Sequence, residues 1–174
     1  KFGNTSRDAA IAQIERGIRE LGVDDLWEST LAPLSYIYRP TGQKIYFRGL
    51  DDATKAKSIK ASIGRFVYVW YEELEEFNGM PEIRKANQSF FRGGDGLEEK
   101  GFHLKNVCFC TYNPPLTMAS WVNEEAAKND KTRKVLHSTY LDIPEKKRIA
   151  WLGADALEEA ETLKIKDPRA YRHE

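Results

Sequence analysis

Ala9, Ile11, Ile14, Ile18 and Leu21 recur at helical spacing, with Thr5 or Ser6 placed to cap and Gly22 to stop. The pattern predicts a helix over residues 7–21. Two short β-prone runs, residues 34–39 and 44–48, flank Pro40-Thr41-Gly42 and predict a β-hairpin. Residues 49–54 predict a loop or short helix. Residues 66–71 are Phe-Val-Tyr-Val-Trp-Tyr, a nearly unbroken apolar run that predicts a strand covered on both faces. Pro81 opens a helix running to about residue 91, and the glycines of residues 93–96 break it. Residues 105–113 predict a further strand, stopped by Pro114 and Pro115. A helix over 119–129, a strand over 134–140 and helices over 151–164 and 168–173 complete the reading.

Strands that alternate with helices argue for an α/β fold whose sheet is mainly parallel, flanked by helices, with one hairpin. The 174 residues are enough for one domain with a core, and nothing in the pattern marks a second. The formal net charge is zero, so no global basic field draws in nucleic acid, and any such contact rests on local patches. No apolar stretch is long enough to span a bilayer. The only cysteines, Cys108 and Cys110, are expected to be core residues of a reducing compartment that face apart, neither paired nor sharing a metal.

Chemistry enters where the apolar run of residues 66–71 ends in Glu72 and Glu73. Open α/β sheets bind ligands at the carboxyl ends of their strands. Two acids there match the Walker B arrangement of a nucleotide hydrolase, one carboxylate holding Mg²⁺ through water and the next orienting the attacking water. The plainer alternative is a buried strand followed by an acidic helix start. Thr111-Tyr112-Asn113-Pro114 ends the next strand, one helix downstream, where a hydroxyl and an amide suit a nucleotide sensor; alone it reads as a turn. His103, His137 and His173 lack metal-ligand spacing. Ser138, His137 and Asp142 lack the G-x-S-x-G elbow of a hydrolase. Lys55, Lys57 and Lys60 read as a solvated face.

In this order the motifs resemble the large terminase subunit of tailed bacteriophages, in its PBSX-like branch. The resemblance rests on residues 40–52 with Lys57, on Val69 to Glu73 with Glu76 and Phe77, and on Thr111 to Pro114. It continues through His137 to Asp142, Glu158 to Lys164 and Asp167 to Glu174, so it covers nearly the whole chain. It implies an ATP-driven motor that packages viral DNA, with a P-loop NTPase-like fold. By resemblance Glu72 takes the place of the metal-side acid, Glu73 that of the catalytic glutamate, and Thr111 and Asn113 match the motif coupling hydrolysis to DNA movement. Arg48 or Lys57 is a candidate for contact with phosphate or a neighbouring subunit, and Arg65 and Arg92 are candidates for a trans-acting arginine.

The implied cofactors are ATP and Mg²⁺. The implied partners are double-stranded viral DNA, a portal protein, a small terminase subunit and further copies in a ring, in the cytoplasm of an infected or lysogenic bacterium. No G-x-x-x-x-G-K-[ST] occurs in the sequence. The expectation is therefore that residues 1–174 form one partial ATPase domain. The phosphate loop would precede it and the nuclease domain follow it, and the isolated piece would be inactive. A helicase-like ATPase of the same fold class and a non-catalytic prophage remnant or binding module are the alternatives.

Overall fold

The computed structural model describes residues 4–31, 34–49, 61, 64–92 and 104–171. They form a mixed α/β structure of helices and two small sheets. The chain divides into two compact units, residues 1–69 with 81–109 and residues 70–80 with 110–174.

In the first unit, helix α1 (Asn4–Glu20) precedes a three-stranded antiparallel sheet of β1 (Trp27–Leu31), β2 (Leu34–Tyr38) and β3 (Gln43–Tyr46). The predicted hairpin is β2–β3, in which Tyr38 faces Gln43 and Ser35 faces Tyr46. β1 escapes the hydrophobic pattern because Glu28, Ser29 and Thr30 fill its middle. Cross-strand pairing holds it instead, with Thr30 opposite Ser35 and their hydroxyls 2.7 Å apart. Leu34, Ser35 and Tyr36 are buried. The Tyr36 hydroxyl donates to Glu15 Oε1 of α1 at 2.7 Å, which ties helix to sheet. Burial, then that carboxylate, pushes the Tyr36 phenol up to about 12. Ring contacts run on from Tyr46 to Phe66 and from Phe66 to Phe90, each at 5.9 Å. Phe90 ends helix α2 (Met80–Phe90), which buries Ile83, Ala86 and Ser89 along one face.

Strands β4 (Tyr68–Tyr71) and β5 (Val107–Cys110) form the second sheet. Val107 N–H donates to Val67 O, and Thr111 N–H to Tyr71 O, each at 2.9 Å. Both bonds advance in the same direction along both strands, so the pair is parallel. The connection through α2 supplies the crossover that parallel strands need, whereas a short turn leaves β2–β3 antiparallel. This corrects the expectation of a mainly parallel sheet: among the described residues three strands are antiparallel and one pair is parallel. The expectation that β4 is covered on both faces also fails, since Tyr68 is 66% and Trp70 59% exposed. Cys108 and Cys110 lie two apart on β5 and so on the same face, because strand side chains alternate with period two. Cys110 is exposed and Cys108 half-buried, so neither belongs to the core.

In the second unit, a 3₁₀ turn at Leu74–Glu76 follows β4, and helix α3 (Trp121–Ala127) packs against it. Tyr71, Leu74, Phe77 and Val122 are buried, with the Tyr71 and Phe77 rings edge-to-face at 5.5 Å. Residues 134–139 do not form the predicted strand. Thr139 instead caps a 3₁₀ turn at Tyr140–Asp142. Its hydroxyl accepts from Leu141 N–H, and the Asp142 carboxylate accepts from Thr139 N–H at 2.6 Å. Helices α4 (Glu145–Leu152), α5 (Ala154–Lys166) and α6 (Pro168–Tyr171) form the tail. Gly153, at φ +85°, separates α4 from α5, so Trp151 ends one helix rather than starting the next. The Tyr140 and Tyr171 hydroxyls, 2.6 Å apart, fasten α6 to the capped turn.

Candidate functional site

The site lies in the second unit, where β4 and β5 end. Thr111 uses its backbone twice: its N–H donates to Tyr71 O at 2.9 Å, and its C=O accepts from Leu74 N–H at 3.0 Å. Glu72 and Glu73 are the two residues between those bonds, so one residue brackets the acid pair. Burial of Tyr71 and Leu74 anchors both sides of the bracket.

Crossing from strand to 3₁₀ turn within two residues demands an unusual backbone. Glu73 supplies it, at φ +51° and ψ +55°, and is the only non-glycine residue with positive φ among those described. The left-handed region costs a Cβ-bearing residue roughly 1–2 kcal/mol. Such outliers persist where the surroundings over-determine them, which is common at functional sites. Glu76 N–H returns to Glu73 O at 3.0 Å and Phe77 N–H to Leu74 O at 3.2 Å, closing the turn.

The side chains around the bracket are polar and crowded. Trp70 donates its indole N–H to Thr111 Oγ1 at 2.9 Å. Glu72 and Glu73 are half-buried, while Thr111 and Asn113 are exposed. Glu75 Oε2 is buried without a hydrogen-bond partner. Burial first, then a hydrogen bond with Glu73 and the nearby acid charges, holds the Glu75 carboxyl above the usual carboxylate range. Burial, and then the Glu75 charge, raises the phenol of Tyr112, whose hydroxyl donates to Val122 O of α3 at 3.3 Å. Glu75 therefore sits between the end of β4 and the β5–α3 connection.

Glu72, Glu73 and Thr111, singled out from the sequence, are thus brought together, with Asn113 two residues beyond Thr111. The basic candidates have other engagements, within the first unit. Arg48 lies over the Tyr46 ring at 5.8 Å and donates to Phe47 O. Arg65, ahead of β4, donates to Asn106 Oδ1 and, at 2.7 Å, to Leu104 O. Arg92 donates to Ser89 O at 3.4 Å. Lys57 lies outside the described residues. Trp70 belongs to the run predicted to be covered on both faces, but it is exposed and acts through its N–H. Tyr112 and Glu75 had no role of their own in the sequence reading; the acid run from Glu72 to Glu76 was the available signal.

Among the described residues no group of three or more His, Cys, Asp or Glu could hold a metal ion directly. A half-buried strand-end carboxylate such as Glu72 does suit Mg²⁺, which keeps several waters and takes one or two carboxylates beside substrate phosphates. Among the described residues no helix is long and apolar enough to cross a membrane.

The parallel pair thus leads into paired acids after β4 and into Thr-x-Asn after β5. The sequence profile of the phage terminase large subunit matches residues 1–174, and the chain belongs to that family. It is 36% identical over 173 residues to the large terminase subunit of Bacillus phage SPP1, an alignment covering 98% of this chain and 38% of that protein. The chain therefore spans well under half the length of that relative. No solved structure matches the chain.

Proposed function

We propose that this chain is the ATP-hydrolysing motor segment of a phage terminase large subunit, which drives double-stranded DNA into procapsids. In this reading β4, α2 and β5 belong to a larger P-loop NTPase-like sheet in the intact protein. Tyr68, Trp70 and Phe109, each more than half exposed here, suit that reading, because parallel sheets are ordinarily covered on both faces. Bound ATP with Mg²⁺ would supply the transferable γ-phosphoryl group and the charge neutralisation it needs. Glu72 would hold the water shell of the metal, and Glu73 would orient and deprotonate the attacking water. Thr111 and Asn113 would sense the outcome at the end of β5 and pass it on. Viral DNA, a portal protein, a small terminase subunit and further copies in a ring are the partners of this reading, and the bacterial cytoplasm is its setting.

The observation that carries the proposal is the Thr111 bracket. Through backbone hydrogen bonds to Tyr71 and Leu74, the residue assigned to coupling flanks the two acids assigned to hydrolysis. The test is Glu73→Gln in the intact terminase, with ATP turnover and ATP binding measured side by side. An amide cannot accept the proton, so turnover falls by on the order of 10²–10⁴-fold while binding persists. Near-normal turnover would remove Glu73 from the chemistry.

A further inference from the structure

We propose that Trp70 is a positioning residue that holds the Thr111 hydroxyl in place, through the hydrogen bond its indole N–H makes across the strand ends. The inference rests on the coupling role given to Thr111 above and names what orients it.

The backbone sets the pieces. Thr111 N–H donates to Tyr71 O, which in a parallel pair makes Glu72 its cross-strand neighbour. Strand side chains alternate, so Trp70, two residues before Glu72, shares the face on which Glu72 and Thr111 stand. Tyr71 turns the other way and is buried. On the shared face the indole Nε1 lies 2.9 Å from Thr111 Oγ1.

An indole has one donor and no acceptor, so this bond runs in a single sense, from nitrogen to hydroxyl. A threonine hydroxyl has three staggered positions about χ1, and the bond selects one of them. Thr111 is exposed, and among the described residues this is the one hydrogen bond of its side chain. Trp70 is itself more than half exposed, so burial of its ring is not what it brings to the strand end; the N–H is. Where a larger sheet covers that face in the intact protein, water no longer competes for either partner. A buried indole N–H without its acceptor is then a cost, which makes the bond matter more. Trp70 need not touch nucleotide or DNA; it holds the group assigned to coupling.

Trp70→Phe keeps an aromatic ring and removes the donor. In the intact terminase the readout is the length of DNA packaged per ATP hydrolysed, a ratio that neither a smaller active fraction nor a slower turnover changes. Trp70→Phe lowers it about two- to tenfold, the range one neutral hydrogen bond spans. Thr111→Val lowers it at least as far. The double variant stays within about twofold of Thr111→Val alone, since its second substitution removes a bond already gone. In the same protein ¹³C relaxation of the Thr111 methyl group reads the order of that side chain directly. It drops in Trp70→Phe, while the methyl groups of Leu74, the buried residue hydrogen-bonded to Thr111 O, keep the parent order.

Parent-like order of Thr111 in Trp70→Phe overturns the proposal. So does a parent ratio in Trp70→Phe where Thr111→Val lowers it, or a double variant whose loss is the product of the two. Disorder that spreads to Leu74 overturns it as well, because Trp70 would then support the fold at large. Failure of the coupling reading is seen separately. If Thr111→Val packages at the parent ratio, the role assigned to Thr111 falls, while the methyl relaxation still decides whether Trp70 holds it.

Discussion

The indole N–H of Trp70 donates to the hydroxyl oxygen of Thr111 at 2.9 Å, joining the last turns of two parallel strands through side chains as well as backbone. The bond leaves the Thr111 hydroxyl its own proton to donate elsewhere. In the coupling role proposed for it, Thr111 would be oriented by this bond without being used up, with one lone pair occupied and one proton available.

Thr111→Val removes that acceptor and keeps the shape. The chain loses about 0.5–1 kcal/mol, the low end for a neutral hydrogen bond because both partners are exposed. The Trp70 indole proton moves to the solvent-exposed position in its NMR spectrum. In the intact protein ATP is still consumed but DNA movement falls, whereas Thr111→Ser preserves both. Simultaneous assay of turnover and packaging decides the matter, and equal loss of the two in Thr111→Val would separate this residue from coupling.

Glu73 is costly where it stands, and glycine would not be. Glu73→Gly relieves the left-handed strain, offset in part by the extra freedom glycine brings to the unfolded chain. The expected net effect is a gain of about 0.5–1 kcal/mol, read from the denaturation midpoint, accompanied by loss of hydrolysis in the intact protein. A stability loss would show that the Glu73 side chain contributes more to the fold than its backbone costs.

Glu75 sets a dependence on pH of definite sign. Its folded-state affinity for a proton exceeds the value of 4.5 that it has when unfolded. The folded chain therefore binds more protons between those two values. The contribution is fully present below the unfolded value and is lost as pH rises through the folded one. Glu125 acts in the opposite sense. Its hydrogen bond with Lys128, and next that with Arg133, lowers its carboxyl, so its contribution is present above the unfolded value and lost as pH falls through the folded one. Denaturant titrations of Glu75→Gln and Glu125→Gln should flatten opposite slopes of the stability profile.

Ile83 and Val122 are each 1% exposed, one in each compact unit. Ile83→Ala should cost about 2–4 kcal/mol as a cavity in a packed helix face. Val122→Ala removes less, but it loosens the floor beneath Tyr112 and the acid turn. Its expected signature is greater mobility of Glu75 at a stability loss smaller than that of Ile83→Ala.

Elements with a long or well-punctuated pattern were legible before any coordinates. The periodic apolar residues of α1, the turn residues between β2 and β3, and the proline at the head of α2 each carry their own local signal. β1 carries none, because its hydrogen bonds to β2 define it and its Glu-Ser-Thr centre does not. The apolar residues Val135 and Leu136 resembled a strand, yet both are more than half exposed and the backbone beyond them closes on the Thr139 cap. At the site, chain order alone brought Glu72, Glu73 and Thr111 into proximity, since a strand–helix–strand crossover sets two strand ends side by side. What the sequence concealed depends on third dimensions: which acid of the run is buried, and that a tryptophan counted as apolar would act as a donor.

A single residue serving both flanks of the acid pair also decides how the strand end is able to travel. Its bonds to Tyr71 and Leu74 run from the two peptide planes that meet at its Cα, so only rotation about φ and ψ of Thr111 moves one against the other. Slippage of β5 along β4 by less than two residues satisfies neither bond, because successive residues alternate sides, and the next matching register lies two residues, about 6.6 Å, away. The end of β5 thus has detents instead of a continuous slide.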